Sequence, residues 1–100
     1  MKGKHPLTRL SEDELLDTVY RTLADSKRRR VLKYLVMRPK PVSTGELAAA
    51  LTAPAETAGS PADASQRLRE VHLSLVHVHL PVLEDAGLVS WDRAADTVAI

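Results

Sequence analysis

The sequence predicts one small domain, mainly α-helical, closing on a short β-hairpin. Three observations carry that expectation. Helix-start signatures recur in "LSEDEL", "ADSKRRR", "STGEL" and "GSPAD", each setting a capping residue ahead of a helical segment. The C-terminal "LVSWDRAADTVAI" is two short alternating runs around a polar turn. At 100 residues the chain is long enough for one modest core. With no Phe, one Trp and two Tyr, that core must be built from Leu, Val, Ala and Ile.

Taken in order, residues 1–10 read as a basic tail, and the domain is expected over 11–100. Ser11 with Glu14 makes a capping box, and Leu10 and Leu15 occupy the hydrophobic-staple positions. Glu12, Asp13 and Glu14 suit the positive end of the helix dipole. Leu15, Leu16, Val19 and Leu23 form the stripe of a first helix from about Glu12 to Ala24. Asp25 or Ser26 caps a second, with Val31, Leu32, Leu35 and Val36 as its buried face and Pro39 and Pro41 ending it. Val42 fits a very short strand. Ser43 and Glu46 form a second capping box, opening a third helix that buries Leu47, Ala48 and Leu51. Residues 52–61 read as an inserted loop, before Ser60 and Pro61 start the next helix.

"VHLSLVHVHLP", residues 71–81, fits a strand in twos and a helix in threes and fours. The strand reading must change phase after Leu75. At ~100° per residue, Leu68, Val71, Leu75, Val82 and Ala86 share one side of a helix running over 63–86. The helix is the better account, bent or broken near His77–Pro81 because Pro81 lacks a backbone donor. His72 and His79 fall inside the apolar stripe and His77 outside it. The three do not converge as metal ligands must, so His72 and His79 read as hydrogen-bonded residues at the core edge. Leu73, Val76 and Leu80 widen the stripe beyond what a core requires. The expected hairpin spans 88–100, turning at Asp92–Asp96.

Composition narrows the function classes. No cysteine is present, which excludes disulfides, thiolate metal sites and cysteine catalysis. No apolar run is long enough to span a membrane, and the N-terminus lacks a signal-peptide core. A cytoplasmic protein is expected, with no metal, no cofactor and no enzymatic activity. Net charge is +1, but it is unevenly placed. Residues 1–50 hold eleven Lys/Arg against six Asp/Glu, and residues 51–100 hold three against seven. Such asymmetry points to one basic face, suited to nucleic acid or to a self-complementary dimer.

The ordered set "LADSKRRRVLKYL", "STGELAAAL" and "HVHLPVLEDAGLVSW" resembles arsenic-repressor-like winged helix-turn-helix regulators. It is more similar still to a haloarchaeal family of small winged-helix proteins of unknown function, which shares the triple arginine, "STGEL", "AGLV" and a terminal "TV". The resemblance covers 11–100. It departs in the long segment between the two helix-turn-helix helices and in lacking the cysteine ligands of the arsenic sensors, so no metal response is implied.

What the resemblance implies is a dimeric, double-stranded-DNA-binding transcription regulator of archaeal type. The outer face of its recognition helix would enter the major groove, with Ser74 and His77 near base edges and Arg67 and Arg69 one to two turns earlier. Lys27, Arg28, Arg29 and Arg30 sit at a helix N-terminus, where cations oppose the dipole, so compensating partners are expected. Either phosphate or the acidic first helix could supply them. Arg93, at the hairpin tip, is placed to reach backbone or minor groove, or stands as a solvated turn charge. Glu70 and Glu84 on the recognition face oppose phosphate. The alternative is a winged-helix module that binds protein, or only dimerises.

Overall fold

The computed structural model describes residues 11–52 and 60–100. The basic tail, Leu10 as a staple residue, and most of the inserted loop lie outside the described residues. Its elements are α1 (Glu12–Leu23), α2 (Ser26–Val36), β1 (Val42–Ser43), α3 (Thr44–Leu51), α4 (Pro61–Ser74), a π-helical turn (Leu75–His79), α5 (Leu80–Asp85), β2 (Ser90–Asp92) and β3 (Thr97–Ala99). The result is a mainly helical domain with a three-stranded antiparallel sheet ordered β1-β3-β2, a layout compatible with a winged helix.

Local signals set most boundaries. The Ser11 hydroxyl accepts from Glu14 N–H at 3.2 Å while Glu14 accepts from Ser11 N–H at 3.0 Å, completing the first capping box. Asp25, rather than Ser26, caps α2 by accepting from Lys27 N–H at 2.8 Å. Ser43 and Ser60 cap α3 and α4 in the same way. The second capping box is half made: the Glu46 carboxylate accepts from the Tyr34 hydroxyl at 2.5 Å.

The core joins Val31 and Leu35 of α2, Val42 of β1, Leu47, Ala48 and Leu51 of α3, Leu75, Leu80 and Leu83 of the long helix, and Val89 and Val98 of the hairpin region. Val36, expected inside, is 69% exposed. It lies one turn past half-buried Leu32, at the end of α2, where no described element covers that face. α1 lies at the margin: only Thr22 is buried, and its apolar residues are half-buried or exposed.

The long helix is continuous across Pro81. Instead of breaking, it widens into a π turn, with Leu80 N–H donating to Leu75 O. A proline in an α-helix clashes with the carbonyl four residues back, and the wider turn just ahead of Pro81 makes room. The π turn adds about one residue to the helical turn and rotates everything after it. That rotation corrects the wheel of a uniform α-helix. Leu80 is fully buried core, not surplus, whereas Val82 is only half-buried. Ahead of the π turn, Leu68 is partly exposed.

The end of α5 explains "AGLV". Gly87 takes φ 77°, Leu88 N–H donates to Leu83 O, and Gly87 N–H donates to Glu84 O. This is a Schellman closure, and Gly has no Cβ to strain in the left-handed region. The chain then enters β2, which pairs with β3 in the register Trp91↔Val98, and β3 pairs with β1 through Val42↔Val98. At the hairpin turn the Asp92 carboxylate accepts from Ala95 N–H, and Asp96 sits at φ 56°.

Candidate nucleic-acid interface

The arginine cluster finds its partners in helix ends. Arg28 donates from Nε to Thr22 O at 2.7 Å and from a terminal nitrogen to Arg21 O at 3.2 Å. Arg29 donates to Leu23 O at 2.6 Å and Ala24 O at 3.1 Å. Arg30 reaches Leu51 O at 2.8 Å, at the end of α3. The last carbonyls of a helix lack intrahelical donors and carry the negative end of its dipole. The three guanidinium groups therefore staple α2 to the ends of α1 and α3. The partner of Arg28 and Arg29 is the first helix, as one reading expected, but its C-terminal carbonyls rather than its acidic side chains. The Lys27 ammonium is exposed and has no partner among the described residues.

Along the long helix the other predicted side chains separate by environment. Arg67 and Ser74 are half-buried, while Arg69 and His77 are exposed. Arg69 donates to Gln66 Oε1 at 2.7 Å, and Gln66 in turn donates to Glu70 at 3.0 Å. A shallow surface groove is lined by Arg69, His72, Leu73, Val76 and His77. Leu73 is 62% exposed beside it.

Arg93 is folded back rather than extended. It makes a two-pronged ion pair with Glu84, at 3.0 and 3.4 Å, and lies 3.9 Å from the centre of the Trp91 ring. The pair neutralises one of the two carboxylates expected to repel phosphate on this face.

The histidines differ in chemistry. His72 Nε2 lies 2.8 Å from Thr44 Oγ1, whose hydroxyl donates to Asp96 Oδ1 at 2.7 Å. A hydroxyl has one proton, and the carboxylate takes it, so His72 Nε2 carries its own hydrogen and donates. This chain ties the hairpin turn to the start of α3 and to α4. His79 is buried, and its Nδ1 has no hydrogen-bond partner among the described residues. Burial pushes its pKa below the ordinary value; Asp25 opposes the shift, while Arg28 and Lys27 reinforce it. At Asp25 burial acts to raise the pKa, but the Lys27 N–H, His79 and Arg28 outweigh it and hold the carboxyl low. The core-edge expectation thus fits His72 fully, and fits His79 in burial but not in bonding. Among the described residues no three His, Asp or Glu side chains converge on a point that would hold a metal ion. Nor is any described helix long and apolar enough to cross a membrane.

Sequence reading missed the Thr44–His72–Asp96 chain and the Arg93–Glu84 clasp. The first joins residues 28 and 52 positions apart, and no local pattern signals it.

A family model described as a domain of unknown function (DUF7344) matches residues 20–99. No curated protein and no solved structure matches the chain. The match agrees with the expected uncharacterised family and carries neither a haloarchaeal source nor a likeness to arsenic repressors.

Proposed function

The chain belongs to this family of domains of unknown function, and we propose that it is a winged helix-turn-helix protein that binds double-stranded DNA as a dimeric regulator. The observation carrying this reading is topological. α2, β1, α3 and the long helix run in helix-turn-helix order, and β1 closes on β3 so that the β2–β3 hairpin sits beside the long helix. In that arrangement the exposed face of the long helix is the one offered to a major groove. His77 and Ser74 are its base-reading candidates, and Arg69 with Lys27 supplies phosphate contacts. Arg67 lies on the same helix. Arg93 joins the interface on exchanging Glu84 for a phosphate. Arg28 and Arg29 act first as the staple that sets α1 against α2. The exposed Leu16 and Tyr20 of α1 are the surface for a second copy.

The test is a mobility shift with genomic fragments, followed by competition between the preferred fragment and a scrambled one. His77→Ala should relax the preference, costing about 1–3 kcal/mol on the preferred site if its contact is direct. An unchanged preference removes His77 from the reading.

One observation favours a second reading. The groove beside Leu73 and Val76 is largely apolar, and Val78 is exposed on the same helix. Exposed apolar surface of that kind suits a protein partner, so a winged-helix interaction module is the alternative if DNA binding fails.

A further inference from the structure

We infer that the groove between α2 and the C-terminal end of α3 is a seat for the DNA phosphate backbone, an assignment that rests on the DNA-binding reading above. The groove has a volume of about 420 Å³. Arg30, Lys33 and Arg38 line it, together with Tyr34, Met37 and Leu51, and no carboxylate does. Among the described residues Glu46 lies 4.0 Å from Arg38 Nε and already accepts from the Tyr34 hydroxyl. Three cations thus face one groove with, among the described residues, a single carboxylate in ion-pair range.

Two of these cations are held in place before any ligand arrives. Arg30 is anchored by its bond to Leu51 O, which engages one terminal nitrogen. Arg38 lies over the Tyr34 ring, 4.1 Å from its centre. That contact restrains the guanidinium over the ring, with its terminal nitrogens not engaged by any described carboxylate. A planar fork with a fixed orientation matches the paired oxygens of a phosphodiester, and little conformational freedom remains to be lost on binding. Lys33 has no partner among the described residues and adds a mobile point charge. Buried Leu51 and half-buried Tyr34 keep water from one side of the groove, which strengthens these charges.

Other surfaces fit phosphate less well. The groove on the long helix is largely apolar. The cleft between α1 and α5 sets Asp85 beside Arg21 and Arg28. Of these three concavities the α2–α3 groove is the most uniformly positive. Its contacts would position DNA without reading sequence.

The experiment compares the full chain with the double variant Lys33→Gln/Arg38→Gln. Fluorescence anisotropy follows binding to the preferred and scrambled duplexes between about 50 and 200 mM salt. The expected result is a slope of log K against log[salt] shallower by roughly two. Affinity should fall by the same factor for both duplexes, with an unchanged melting temperature. Lys33→Ala alone should flatten the slope by about one. If the parent binds with a salt slope and the double variant keeps it, the groove assignment is overturned while the DNA reading stands. A loss confined to the preferred duplex also overturns it. A parent without salt-dependent binding removes both.

Discussion

Thr44→Val should cost the domain a measurable part of its stability while leaving its shape intact. Thr44 is 1% exposed, and its hydroxyl is the centre of the link between His72 and Asp96. Valine keeps the β-branch and nearly the same helix propensity, so the change removes the hydroxyl and little else. A hydrogen bond to a charged group contributes about 1.5–3 kcal/mol and a neutral one about 0.5–1.5. Asp96 is exposed and regains water once its partner is gone, which places its share near the bottom of that range. Half-buried His72 loses about 1 kcal/mol more. The sum is roughly 2.5 kcal/mol, or about 10–20 °C in Tm for a domain of this size. Urea unfolding followed by Trp91 fluorescence and by circular dichroism measures it. Asp96→Gly tolerates the positive φ and removes the carboxylate, so a double-mutant cycle with Thr44→Val should show about 1 kcal/mol of coupling. A Thr44→Val protein within about 0.5 kcal/mol of the parent, or a strictly additive cycle, would refute the link.

Arg29→Ala should lower stability by about 1 kcal/mol, because two carbonyls at the end of α1 lose a charged donor; thermal melts read it, and the DNA salt slope should barely change. Gly87→Ala should cost about 1–2 kcal/mol, since a Cβ is strained at φ 77°, and chemical denaturation would report it. The His79 pKa is lowered on folding, so the unfolded chain binds a proton that the folded chain refuses. Stability should therefore fall as pH drops from about 6.5 toward the lowered folded value, and His79→Leu should flatten that part of the profile. Glu14, whose carboxyl is held low by the Ser11 N–H, and Asp25 contribute stability lost only at more acidic pH, below the ordinary carboxylate range. Sedimentation of the parent should show a dimer, and Leu16→Glu/Tyr20→Glu should shift it to monomer; a monomeric parent at high micromolar concentration contradicts the dimer.

The features legible in the sequence were those set by neighbouring residues. Ser11, Ser43 and Ser60 cap helices through bonds three residues away, and the alternation around Asp92–Asp96 needs only adjacent positions. The π turn was not legible, because a wheel of constant period assumes the feature that Pro81 changes. That assumption made Leu80 look like surplus surface and put half-buried Val82 at the centre of the stripe, although Ala86 is buried as the wheel placed it. In the candidate site, the wheel correctly turned His77 outward and His72 and His79 inward. It could not assign partners to Arg28, Arg29 and Arg93, because charge and position alone do not distinguish a carbonyl, a carboxylate and a phosphate as the acceptor. Nor could it find the Thr44–His72–Asp96 chain, which exists only once the hairpin has folded against α3 and α4.

DNA binding by this domain is tested by titrating the full chain against duplex DNA across a range of salt concentrations. Binding should weaken linearly in log K against log[salt], with a slope reflecting several released counterions, and the preferred fragment should bind more tightly than a scrambled one at every salt. No binding at low salt, or binding indifferent to salt, would contradict it and shift the reading to a protein partner on the Leu73 face.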